Sequence, residues 1–263
     1  MAIYSSQPSL FLPHGAPDLP LSTHPATTFL KGLSSQLERP DAILIISAHW
    51  ETRGLHITTS ETLETIYDFA GFSSELYHLK YPAKSSPVLI NLLREHLKST
   101  GYDLIENKRR GLDHGAWIPL LLTFPEAEIP IVQLSLDRRL ATSDLYQLGL
   151  DLSILRNDNI LIIGSGAITH NLRALAPEHT PPPNWAIEFS DWVENTLQNS
   201  QWASLCNYMT ETTKGQVAHP TPEHFLPLLI AAGAGGENAV ARRLHNSFSY
   251  GSISMGAWMF NAP

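Results

Sequence analysis

A single cysteine, Cys206, in 263 residues excludes an intrachain disulfide and any zinc site built from several thiolates. Its neighbours Trp202, Leu205 and Tyr208 make it a small buried hydrophobe, not a nucleophile. Basic charge is also scarce, since 17 Lys and Arg stand against 25 Asp and Glu for a formal net charge of −8. The longest basic run is Lys108-Arg109-Arg110, so neither nucleic acid nor an anionic membrane is an expected partner. No apolar run reaches the roughly 20 residues of a bilayer span. The start M-A-I-Y-S-S-Q-P has neither the basic nor the apolar region of a secretory leader, which makes the cytoplasm the expected compartment. P-loop and H-E-x-x-H motifs are absent, and no stretch repeats. Gly164-Ser165-Gly166 fits neither a nucleophile elbow nor a dinucleotide fingerprint. It reads as a tight turn that lets backbone approach a ligand.

What is present is a large apolar complement, 43% of residues against 16% charged. That suffices for one domain, residues 1–263, burying about three quarters of its unfolded surface. Ala42–Trp50 (A-I-L-I-I-S-A-H-W) begins as a strand with no polar face and is expected in the middle of a sheet covered on both sides. Ile129–Leu136 and Asn159–Gly164 read the same way, and Pro8–Pro13 is a shorter apolar strand. Leu55–Ser60, Asp103–Ile105 and the closing Ser249–Phe260 complete the strands. Between them lie helical patterns at Ala26–Leu37 (Thr23 as cap), Ser86–Lys98, His114–Phe124, Ser143–Leu155, Trp185–Leu197 and 200–212. A last helix at Pro222–Ala232 has Thr221 as cap and Pro222 in its first turn. Gly233–Glu237 reads as a flexible break. Ile66–Pro82 is an aromatic, glycine-punctuated loop with one helical turn, long enough to suggest a role. Strands alternating with helices predict an α/β fold with a central, mostly parallel or mixed sheet and helices on both faces.

Twelve histidines are distributed unevenly over this frame. His24, His56, His78, His96, His179, His219 and His245 occupy polar, loop or helix-surface contexts where a merely structural role is the plain reading; His78 and His219 lie nearest to segments of interest. Three others follow apolar strands: His14 after S-L-F-L, His49 after I-L-I-I-S-A, and His170 after I-L-I-I-G-S-G-A-I-T. His114 and His224 begin helices. Strand ends and helix starts share the ligand-binding edge of open α/β sheets, so adjacent strands would bring these imidazoles into one crevice. Neutral imidazole binds zinc most commonly and suits Fe(II) as well.

With those residues in view, the chain resembles the class III extradiol ring-cleaving dioxygenases, in their 4,5-DOPA dioxygenase branch. The resemblance rests on L-F-L-P-H-G-A-P (10–17), I-S-A-H-W-E-T (46–52), Y-D-F-A-G-F (67–72), Y-P-A (81–83) and G-L-D-H-G-A-W (111–117). It continues through I-P-I-V-Q-L-S-L-D (129–137), G-S-G-A-I-T-H-N-L (164–172), T-P-E-H-F-L-P-L-L (221–229) and S-M-G (254–256). It implies His14, His49 and His224 as ligands of one Fe(II) or Zn2+ per chain. His170 is implied as either a fourth ligand or the catalytic base, and His114 as a second acid–base group. The implied reaction opens a catechol such as DOPA with O2 and gives a semialdehyde.

An all-histidine set departs from the usual triad of two histidines and a carboxylate. It equally describes a zinc hydrolase, and Memo-like proteins share the resemblance without an enzymatic role. Glu223 is the carboxylate that could replace His224, while Glu51 and Asp113 are expected to orient imidazole N–H groups. Tyr67, Phe72, Tyr77 and Trp117 are expected to wall the substrate ring. Arg53, Lys80 and Arg173 are candidates for a substrate carboxylate. Assembly into a homo-oligomer is left open.

Overall fold

A computed structural model describes residues 6–262; the stretch 1–5, part of the segment read for a leader, lies outside the described residues. Its strands are β1 (Ser9–Pro13), β2 (Ala42–Thr52), β3 (Leu55–Thr58), β4 (Thr62–Leu63), β5 (Ala83–Lys84), β6 (Leu104–Asn107), β7 (Ile131–Asp137), β8 (Ile160–Gly166), β9 (Val240–His245), β10 (Phe248–Ser249), β11 (Ile253–Ser254) and β12 (Ala257–Asn261). The helices are α1 (Pro25–Leu33), α2 (Pro87–Ser99), α3 (His114–Thr123), α4 (Thr142–Leu152), α5 (Asn184–Gln198), α6 (Trp202–Cys206), α7 (Tyr208–Glu211), α8 (Gly215–Ala218) and α9 (Leu226–Ala234).

Eight strands form one sheet in the order β6-β3-β7-β2-β8-β1-β12-β9. β7, β2, β8 and β1 run parallel, whereas β12 and β9 add an antiparallel edge. β3 meets β7 antiparallel and β6 parallel, so the sheet is mixed. The apolar runs are buried on both faces because successive side chains alternate. Leu44, Ile46 and Ile162 join a core covered by α2, α4, α5 and α9, whereas Ile43, Ile45, Leu161 and Ile163 join one covered by α1 and α3. Each fully buried aliphatic side chain contributes about 1.5–3 kcal/mol, which makes this central ladder the rigid part of the molecule. No helix among the described residues is long and apolar enough to cross a membrane.

Several local expectations need correction. α1 is capped by His24, whose Nδ1 accepts from Ala26 N, and not by Thr23. Pro222 opens a turn instead of a helix, with Phe225 N and Leu226 N bonding its carbonyl, so α9 starts at Leu226. Gly233 is no break, because α9 runs through it and lies so close to α4 that a Cβ there would sit 2.1 Å from Tyr146 O. The 200–212 segment is two short helices meeting at Asn207. The closing stretch is three strands, and β9 was not anticipated at all. Its pattern, V-A-R-R-L-H, is largely exposed and carries no apolar alternation.

Candidate metal centre

β2, β8 and β1 are consecutive neighbours in the sheet, so their carboxyl ends deliver His49, His170 and His14 to one edge. At that edge the β2–β7 register jumps from Ile46↔Leu134 to Glu51↔Leu136. Residues 47–50 are thereby released from pairing with β7, as in bulges beside functional sites, and His49 turns out of the ladder. Room for it comes from Gly115, where a Cβ would lie 2.3 Å from Ser47 Oγ and 2.8 Å from His49 Cδ2. His224 arrives on the turn before α9, held against β8 where Gly166 leaves space; a Cβ there would meet His224 O at 2.2 Å. The Gly-Ser-Gly stretch is thus not a turn. It is the end of β8, and its glycines admit the backbone of another segment.

His49 Nε2 lies 3.1 Å from His14 Nε2 and 3.3 Å from His224 Nε2. Two of these nitrogens carry no proton. Ser165 Oγ donates to Gly115 O at 2.5 Å, so it accepts from His14 Nδ1 at 3.0 Å. The carboxylate oxygen of Glu223 can only accept, and it takes the Nδ1 proton of His224 at 3.0 Å. Both assignments leave the Nε2 lone pair facing the other imidazoles. Burial, followed by the neighbouring imidazoles, holds His14 and His224 well below the ordinary imidazole range. His49 is held at about 4, chiefly by burial and then by His114, against the opposing charges of Asp113 and Asp68.

The lone pairs of His14 and His224 thus both point at His49 Nε2, and a cation bound among the three could take the place of the single proton that His49 Nε2 can set between them. A first-row ion holding nitrogen at about 2.0–2.1 Å spaces neighbouring donors by roughly 3 Å. The residues therefore fit one metal ion held by His14, His49 and His224, whose ligand nitrogens all lie within 4.8 Å of one another.

His170 stands outside that trio. Its ring stacks on His224 with centroids 3.4 Å apart and planes at 10°, and burial lowers its pKa while Glu223 opposes the shift. His114 packs beside His49, centroids 3.9 Å apart. Its Nδ1 donates to Asp68 Oδ1 at 2.9 Å and its backbone N to the same oxygen at 3.0 Å. Burial pushes the Asp68 carboxyl up, but the bonds and charge of His114 outweigh it and hold it at about 2. Asp68 lies within the Y-D-F-A-G-F block of the resemblance but carries no role there; it stands 46 residues from His114, and no spacing links the two.

Glu51 and Asp113 do not orient imidazoles. Glu51 is exposed. Asp113 is fully buried and caps α3 while accepting from Ser47 Oγ (2.6 Å), Gln133 Nε2 (2.6 Å) and Arg110 Nη2 (3.0 Å). It supports His49 from behind, since His49 N donates to Ser47 Oγ. Glu223 is tied to His224 Nδ1 and Thr221 Oγ1, which makes it a partner of the histidine in place of a substitute for it.

The five histidines open into a cavity of about 580 Å3 with Gly15, Ala16, Pro17, Phe69, Ala70, Phe72, Leu172, Leu175, Glu223, Ser249, Tyr250 and Ile253. Phe72 lines it as expected, whereas Tyr67, Tyr77 and Trp117 do not. Trp117 is fully buried with Nε1 on Ile66 O. Tyr67 donates to Leu79 O, and Tyr77 to Phe69 O, so both brace the loop that presents Phe69. Arg53 and Arg173 are exposed, and Lys80 lines a different cavity with Tyr67. His78 is exposed, and His219 is buried with Nε2 on Ile168 O.

Comparison with known proteins points the same way. Residues 14–259 match a family described as the catalytic LigB subunit of aromatic ring-opening dioxygenase. The chain is 40% identical to a 4,5-DOPA dioxygenase extradiol of Beta vulgaris, covering 97% of this chain and 96% of that one. It is 38% identical to the protein of the same name from Escherichia coli K12, over 94% and 92%. The crystal structure of an uncharacterized Escherichia coli K12 protein superposes with a TM-score of 0.80 at 33% identity, covering 96% of this chain and 99% of that one.

Proposed function

The chain belongs to the LigB family of aromatic ring-opening dioxygenases, and on that basis we propose that it opens a catechol beside its diol with O2. The observation that carries this reading is the meeting of three Nε2 atoms at the floor of an apolar cavity. In this reading His14, His49 and His224 hold one Fe(II) per chain. Bound iron would bring the diol oxygens and O2 together and pass electrons between them, which zinc cannot do.

The remaining work falls to side chains of this protein. His170, stacked on His224 and outside the trio, acts as the base that takes the first catechol proton, and it is not a fourth ligand. His114 has its Nδ1 proton fixed on Asp68, so its Nε2 is the atom that exchanges a proton with the substrate as the ring opens. Phe69 and Phe72 flank the flat ring, and Leu172 and Leu175 keep water from the reacting edge.

The test is anaerobic loading with Fe(II) followed by catechols in an oxygen electrode. Stoichiometric O2 uptake with a yellow ring-opened product is expected. His170→Ala should lose turnover while keeping its metal, and His49→Ala should lose the metal itself. Absence of O2 uptake across several catechols with iron-loaded protein would sink the reading.

A further inference from the structure

The ring of His170 is placed differently from the other imidazoles of the site. His14, His114 and His224 each have Nδ1 fixed by a partner. The His170 ring rests on the His224 ring and makes no hydrogen bond among the described residues, so its main chain sets its position. That main chain has left the sheet, since β8 ends at Gly166, and residues 167–170 hang from other segments. Ala167 N donates to His224 O, Thr169 Oγ1 to Ser252 O at 2.7 Å, and His170 N to Ala218 O at 2.9 Å. One more bond is supplied by a distant side chain: His219 Nε2 donates to Ile168 O at 2.7 Å.

His219 is fully buried, with the rings of Phe189, Tyr208 and Phe225 around it at centroid distances of 5.6, 5.9 and 5.1 Å. Its Nδ1 has no partner among the described residues, and an unpaired buried polar atom costs free energy. An apolar side chain would fill the same space without that cost. What the imidazole adds is one donor aimed at Ile168 O. With His170 N on Ala218 O, it makes a two-bond clamp of 218–219 on 168–170.

We propose that His219 is a positioning residue for His170, holding the segment that aims the base at the diol. The inference rests on the reading of His170 as that base. Misplacing a reacting group by about 1 Å costs on the order of 100-fold in rate, so a bond two residues from the base is close enough to matter.

Iron-loaded His219→Leu and His219→Gln are compared with wild type in kcat, KM and bound iron, and each is also made in a His170→Ala background. Leu removes the donor, whereas Gln returns an amide N–H near the position of Nε2. His219→Leu should lower kcat at least about tenfold, with KM and bound iron within about twofold of wild type. His219→Gln should regain most of that loss. Neither should lower the residual rate of His170→Ala further, because residues that act as one unit are not additive. If His219→Leu does not fold, His219→Asn, one methylene shorter than Gln, removes the donor in its place. Full kcat in the donor-less variant, an equal loss in His219→Gln, or a further loss in the His170→Ala background would overturn the inference and leave the base reading standing. Loss of iron or of the fold in both donor-less variants would assign His219 to structure alone and overturn it equally. Undiminished turnover in His170→Ala would overturn the base reading, and this inference with it.

Discussion

One hydroxyl decides which nitrogen of His14 faces the cavity. Because Ser165 Oγ spends its proton on Gly115 O, it can only accept from His14 Nδ1, and the Nε2 lone pair points to the proposed metal position. Ser165→Ala removes that constraint, and metal affinity measured by chelator competition should fall about 10–100-fold, the usual cost of losing a partner behind a ligand. Asp68 does the same for His114, which lies outside the ligand trio. Asp68→Asn should therefore lower kcat with metal content close to wild type; a protein that loses its metal instead would assign Asp68 to the metal site. His219 makes a third case. Burial holds it at about 4 despite its bond to Ile168 O, below the ~6.5 of an unfolded histidine. The native state keeps it neutral while the unfolded chain takes up the proton, so its contribution is intact above pH ~6.5 and is lost as pH falls toward 4. Urea unfolding of wild type and His219→Gln should show the wild type losing about 2 kcal/mol more between pH 7.5 and 5. Equal losses in the two proteins would refute this assignment.

Elements explain which of these residues could be read in the sequence. The buried strands β2, β7 and β8 announce themselves through unbroken aliphatic runs, and the histidines after them are legible because a strand end is a defined place. Strand order alone brings His14, His49 and His170 to one edge; His224 follows no strand, and it is the resemblance that implies it as a ligand. What stayed hidden depends on packing between distant segments. The release of residues 47–50 from β7 leaves no compositional trace. The aromatic wall was misassigned because Tyr67, Phe69, Phe72 and Tyr77 look alike in sequence, yet only Phe69 and Phe72 face the cavity. β9 was missed because an exposed edge strand needs no apolar pattern. Gly166 shows how such packing can be tested. A methyl group there would sit 2.2 Å from His224 O, which is main chain and has no rotamer to change. Gly166→Ala should destabilise the fold by about 1–3 kcal/mol and weaken metal binding further, because the displaced segment carries His224, a proposed ligand. Thermal unfolding with and without metal separates the two effects.

At the scale of the whole molecule, the trio joins segments far apart in the chain: His14 after β1, His49 in β2 and His224 before α9. The unfolded chain has no such arrangement, so metal binds the native state almost exclusively and adds RT ln(1 + [M]/Kd) to its stability. At a free metal concentration about 100 times Kd this amounts to about 2.7 kcal/mol, or a rise in Tm of roughly 5–10 °C for a domain of this size. In the apo protein the lone pairs of His14 and His224 both face His49 Nε2, at 3.1 and 3.3 Å, and one proton on that nitrogen is shared between two acceptors. Replacing one ligand by an apolar group should therefore affect the two forms differently. His49→Ala should lose nearly all of the metal-induced rise, while its apo form stays within about 1 kcal/mol of apo wild type, because the imidazole removed is partly exposed and leaves only a small cavity. Calorimetry of both proteins, stripped and reloaded, reads the two quantities separately. A metal-induced rise that survives in His49→Ala would place the ion elsewhere among the histidines, with His170, Glu223 and His224 the next set of donors close enough to hold it.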